Sequence, residues 1–227
     1  MSTYVNHRLK IEGHTSILKE ILGKYFMGEV LSLKAIIPIP ESIQKTFFSS
    51  LPVNEMLVGW YLKGYLSGEQ FRQILGMPKG DDNESLSHAE EALLEMLEAG
   101  NKKLTMRHDM FRKVVQAYLE TGYVNWNSWS VVNWGVQNNV YAGSIAGPEN
   151  ERLLAWFRTF RGCPGPALRE LSSRYPQCSF ELASMCEGYC FSNVMSIQAG
   201  AVTHCPSTME SVRAIINEDN SAKRMGD

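Results

Sequence analysis

Residues 4–12 read YVNHRLKIE, and their alternation sets the architecture. Val5, His7, Leu9 and Ile11 share one side; Asn6, Arg8, Lys10 and Glu12 share the other. A period of two is the mark of a half-buried strand. Gly13 ends it, and Ile17, Leu18, Ile21 and Leu22 follow at helical spacing, with Gly23 placed as a C-terminal cap. Residues 30–37 alternate again through Leu31, Leu33, Ala35 and Ile37, which predicts a second strand. Pro38 and Pro40 stop it, because proline cannot donate to a ladder.

Beyond Glu41 the texture changes. Residues 43–122 read as helical. Ser87 and Glu90 have capping-box spacing ahead of Ala89, Leu93, Leu94 and Leu97, and Met106, Met110, Val114, Ala117 and Tyr118 form a later stripe. Residues 123–147 are rich in tryptophan and asparagine, and no regular element is predicted there. Residues 152–160 (RLLAWFRTF) read as a further strand, which Gly162 and Pro164 break. Pro166 suits a helix start, with Ala167, Leu168, Leu171 and Tyr175 on its apolar side. Residues 178–185 and 191–199 read as a hairpin around Glu187 and Gly188. A last helix is predicted from Ser207, boxed by Glu210, with Met209, Val212, Ile215 and Ile216 inward. The expected class is α+β: a ferredoxin-like βαββαβ antiparallel sheet with a large helical insertion and a C-terminal helix. The core takes 1–42 and 123–204, the insertion 43–122, and the helix and tail 205–227. Such a sheet is expected to carry helices on one face and leave the other open.

With 227 residues the chain is long enough to bury a core without disulfides or a metal. Lys and Arg total 22 against 24 Asp and Glu, which argues against a broadly basic nucleic-acid coat. No run approaches 18 apolar residues, so no membrane span is expected. Five cysteines, 11 methionines and no apolar leader suit a reducing cytoplasm. Cys186, Cys190, His204 and Cys205 are the one group open to a metal reading. His204 and Cys205 are adjacent and point apart on an extended chain, so thiols flanking a hairpin are the preferred reading.

Three phrases carry a family resemblance. They are Pro38-Ile39-Pro40-Glu41, Asn133-Trp134-Gly135, and the block from Phe160 to Val202 with Pro164-Gly165-Pro166, Tyr175-Pro176, Phe180-Glu181-Leu182 and Glu187-Gly188. In this order they resemble the YubB-like family of plasmid and phage proteins with a ferredoxin-like domain. The family phrase Asn-Trp-Gly-Thr-Lys-Trp-Asn reads here Asn133-Trp134-Gly135-Val136-Gln137-Asn138-Asn139, without the threonine, lysine and second tryptophan. The resemblance implies a mobile genetic element in a bacterium and no known activity.

The candidate binding residues are Trp126, Asn127, Trp129, Asn133, Trp134, Asn138 and Asn139, with a basic group at Lys103, Arg107, Arg112 and Lys113. An exposed tryptophan would stack on a base or a peptide, and asparagines would supply hydrogen bonds. The plainer reading of Trp134 is a buried ring beside a turn, and that of the basic group is a solvated helix side. His7 reads as a hydrogen-bonded core histidine before a general base. Cys163 precedes a helix, which would lower a thiol pKa, with Arg158 and Arg161 helping. Arg152, Arg158, Arg161, Arg169 and Arg174 are expected to gather near one edge. No Gly-x-Ser-x-Gly elbow, phosphate loop or dinucleotide fingerprint occurs, so no cofactor and no enzyme activity are expected. The leading expectation is an interaction protein that contacts a host or plasmid-encoded protein, one form being an inhibitor of a host defence complex. The alternative is a nucleic-acid binder using the sheet, the Trp/Asn segment and the basic helix. A homodimer is compatible with an open sheet.

Overall fold

The structure, a computed structural model, describes residues 4–46, 116–188 and 191–218. Lys103, Arg107, Arg112, Lys113, Cys190 and most of the 43–122 insertion lie outside them. The chain divides into two units: Met1–Pro38 with Ser130–Asp227, and Ile39–Trp129.

The first unit holds strand β1 (Tyr4–Glu12), helix α1 (Thr15–Tyr25), the short strands β2 (Phe26–Met27) and β3 (Val30–Leu31), and helix α2 (Leu33–Ile36). Helix α3 (Glu41–Gln44) belongs to the second unit. Helix α4 (Trp126–Trp134) leads back to β4 (Tyr141–Glu149), β5 (Arg152–Phe160), α5 (Gly165–Arg174), β6 (Ser179–Cys186), β7 (Ser192–Gln198), β8 (Ala201–Cys205) and α6 (Met209–Glu218). Six strands form one sheet in the order β4-β5-β1-β6-β7-β8, every neighbouring pair antiparallel. β1 is central, with Leu9 opposite Ala155 on one side and Leu182 on the other.

The first face carries Val5, His7, Leu9 and Ile11, all at most 1% exposed. α1 lies over β4 and β5, and α5 over β6 and β7. The tips of the two helices meet where Tyr25 packs edge-on against Tyr175 and the Tyr175 hydroxyl donates to Glu20 (2.7 Å). The second face is not left open, contrary to expectation. α6 packs across β1, β6 and β7 and buries Val212 and Ile216 against Ala183 and Val194. The Trp156 indole N–H donates to the Ile216 carbonyl (3.2 Å). Four apolar side chains on one helical stripe are enough to claim that face.

Other local expectations also change. Only Val30 and Leu31 of 30–37 are strand. The Ser32 hydroxyl accepts from the Ala35 N–H (3.3 Å) and turns the rest into α2, which buries Leu33 and Ile36. α1 runs through Gly23 to Tyr25. The cap of α6 is Thr208, which exchanges hydrogen bonds with Ser211, not Ser207 with Glu210. β4 arises where no regular element was predicted. β8 was not expected either; Ala199 and Gly200, both at positive φ, turn the chain from β7 straight into it.

In the second unit Glu41 pairs with Lys45 (2.9 Å), and the Thr46 hydroxyl donates to the Ile43 carbonyl (2.8 Å). Residues 116–121 are helical, closed by the Thr121 hydroxyl on the Ala117 carbonyl (2.6 Å).

Candidate functional site

The aromatic segment is a helix. Asn125 caps it, its side-chain oxygen accepting from the Ser128 N–H (3.0 Å). Trp126, Trp129, Ser130 and Trp134 then fall on one helical stripe, and all are buried. Trp126 stacks on Trp129 at 6.0 Å within the second unit. An exposed aromatic platform is therefore corrected: rings this large are spent on packing. Asn127 and Asn139 are exposed, and Asn133 and Asn138 are half-buried. The exposed large residues of α4 are Val131 (45%) and Val132 (56%), on the side opposite the tryptophans.

The phrases singled out in sequence meet in the first unit. The Trp134 indole donates to the Ile37 carbonyl (3.0 Å), just before Pro38. The Asn139 side chain accepts from the Leu33 N–H (3.1 Å). Gly135 sits at φ +85°, and a Cβ there would overlap the Cys163 carbonyl oxygen and the Pro166 ring. A Cβ on Gly162 would in turn overlap the Gly135 carbonyl oxygen, and Val136 bridges Gly162. The two glycines let two backbones touch where any other residue would hold them apart.

A buried polar chain leads from this clasp into the sheet. The Thr159 hydroxyl donates to the Gly162 carbonyl (2.8 Å). It therefore accepts from the His7 Nε2–H at 2.7 Å. That leaves His7 Nδ1 as an acceptor for the Ser184 hydroxyl at 2.8 Å. Burial pushes the His7 pKa down to about 3, so the ring is neutral. Burial also pushes the Cys163 thiol up, with the Ser184 hydroxyl opposing weakly. The expected lowering at a helix start does not occur, because desolvation outweighs it. The arginines named as helpers are engaged elsewhere. Arg158 donates to Asn6 (3.0 Å) and pairs with Glu187 (3.7 Å), while Arg161 lies 5.0 Å from the Phe160 ring. With both ring nitrogens engaged and the thiol protonated, these groups offer neither a free base nor a thiolate. The chain of hydroxyls and imidazole is a structural lock.

The five arginines do not gather. Arg158 is on the second face, whereas Arg169 and Arg174 lie on α5, held by the Gly200 carbonyl (2.9 Å) and by Glu170 (2.9 Å). Cys186 and Cys205 fall on opposite faces, Cys205 packing with Val194 and Val212. Among the described residues no three His, Cys, Asp or Glu side chains gather as a metal site. No described helix is long and apolar enough to cross a membrane.

The clasp builds one side of an open groove of about 820 Å³. Its apolar lining includes Ile37, Val132, Met195 and Val202, and its polar lining Asn133, Arg169, Glu170 and Ser173. A second hollow of about 490 Å³ on the other face is bordered by Asn6, Trp156, Arg158 and Asn217. Of the sequence candidates, only Asn133 lines the larger groove. Its other members were not anticipated. The signal was present, since Trp126, Trp129, Ser130 and Trp134 at helical spacing already put Val131 and Val132 on the outer side.

No family model matches the chain, and no curated protein matches it. Among solved structures it is similar to the crystal structure of a protein api92 from Yersinia pseudotuberculosis, described under the family model DUF1281. The identity is 13%, the TM-score 0.46, and the match covers 92% of this chain and 99% of that one.

Proposed function

We propose that this chain is a non-enzymatic interaction protein that works by protein–protein contact through the groove bordered by α4 and α5. The observation that carries the reading is Val132, a large apolar side chain 56% exposed at the rim of a groove with mixed lining. Apolar residues grouped beside a few polar groups are the composition of a contact surface. His7, the group closest to a general base, is committed to holding β1, β5 and β6 together. The nucleic-acid reading has less support, since the rings it requires are buried and Arg169 and Arg174 already have acceptors.

The ferredoxin-like reading belongs here too. It is supported by the succession β1-α1-β4-β5-α5-β6, with β1 between β5 and β6 and β4 outside β5. β4 then takes the place first given to 30–37. The setting proposed, on the YubB-like resemblance, is a bacterial mobile element whose partner is a host or plasmid-encoded protein, one form being a host defence complex that the chain inhibits.

A photo-crosslinking residue at Val132, with Glu12 as the control position, tests the proposal in host lysate. A partner should be captured in stoichiometric amount from Val132 only. Val132→Asp should cut its recovery at least about tenfold while the circular dichroism spectrum is unchanged. Equal capture from both positions, or none, overturns the reading.

A further inference from the structure

We propose that strand β8 is a self-pairing edge, through which two copies of this chain join their sheets about a two-fold axis at Thr203. This goes beyond the groove reading and does not rest on it.

The two ends of the sheet are built differently. At one end, β4 is covered: Gly143 lies against Glu29 and Val30 of the β2–β3 hairpin. At the other, β8 is the last strand, and Ala201, Val202, Thr203 and His204 are all exposed. Among the described residues nothing pairs with its outer side. It also lacks the usual guards, having no lysine, proline or bulge.

Its hydrogen-bond pattern follows from the turn. Positive φ at Ala199 (48°) and Gly200 (78°) makes a two-residue hairpin, so Gln198 and Ala201 form the closing bonded pair. Bonded positions then alternate: Ala201, Thr203 and Cys205 bond to β7, and Val202 and His204 turn their N–H and C=O outward. These two positions are symmetric about Thr203. An antiparallel second copy sets Val202 against His204 of its mate, and each outward donor meets an acceptor. The donor–acceptor match is built into the backbone, and the side chain of β8 that meets its own image is the uncharged Thr203. The two Thr203 side chains become a directly opposed, non-bonded pair on the face that carries α6, a pairing threonine favours. Val202, 38% exposed, gains cover on the opposite face.

Sedimentation of the purified full chain should give a concentration-dependent dimer. Val202→Pro removes an outward donor without touching a bond to β7. It should weaken the dimer at least about tenfold and leave the melting temperature of the monomer unchanged. Thr203→Cys should form an interchain disulfide rapidly under mild oxidation, because non-bonded pairs bring Cα atoms to about 4.5 Å. The natural chain, treated alike, should not. A monomer at all concentrations with no Thr203→Cys cross-link overturns the proposal. So does a dimer that Val202→Pro leaves intact. Val202 also lines the groove, so Val202→Pro is scored only by self-association, whereas the groove test reads capture of a different molecule at Val132.

Discussion

His7 and Arg8 are neighbours in the chain and sit on opposite faces of β1, 1% and 7% exposed. Each face buries a polar group by a different means. On the first, two helices seal the surface, and His7 is kept uncharged between two hydroxyls. On the second, α6 covers only part of the sheet. Arg8 lies there 3.8 Å from Glu181, and Lys10 lies 3.3 Å from Glu12 at the more exposed margin. Cationic groups sit where carboxylates lie within reach. Where they do not, the sequence supplies a group that can give up its proton.

Three substitutions sharpen that contrast, beginning with the largest effect. Leu9→Ala opens a cavity on the sealed face and should cost about 3 kcal/mol in denaturant unfolding. A cost under about 1 kcal/mol would mean that this face is not the main core.

His7→Gln should cost about 2 kcal/mol at neutral pH, since the ring and its two hydroxyl partners cannot all be replaced. The more telling readout is acid. The unfolded chain takes up a proton on His7 near pH 6.5, while the folded chain resists it down to about 3. Between those values the unfolded state binds more protons, so stability falls as pH falls, by up to about 1.4 kcal/mol per pH unit. Above about pH 6.5 the effect is absent. His7→Gln should lack this component, and identical slopes in both proteins between pH 6 and 5 would refute the neutral buried ring.

On the partly covered face, Trp156→Phe removes the bond to Ile216 while keeping most of the packing, and should cost about 1 kcal/mol. Hydrogen exchange should quicken in α6 and stay unchanged in β1. Equal quickening in both would erase the distinction between the faces.

The strands that alternate or carry dense apolar runs were legible in the sequence: β1, β5, β6 and β7, with α1, α5 and α6 marked by their stripes. What escaped has physical reasons. Leu31, Leu33, Ala35 and Ile37 satisfy a period of two, Leu33 and Ile36 a helical step of three, and only the Ser32 cap decides between them. β4, YAGSIAGPE, has weak alternation and two irregularities in its pairing; it is a strand because β5 offers it a ladder. β8 is short and exposed, so it leaves almost no hydrophobic trace. At the candidate site, Asn133-Trp134-Gly135 could be read as important but not as a clasp. The φ of Gly135 and its nearness to Cys163 depend on residues far along the chain.

The bond from Trp134 to Ile37 joins positions 97 residues apart. The chain thus leaves the sheet unit and re-enters it through adjacent doorways. Because loop closure costs little more for a longer segment, an insertion between these doorways should leave the strand registers as they are.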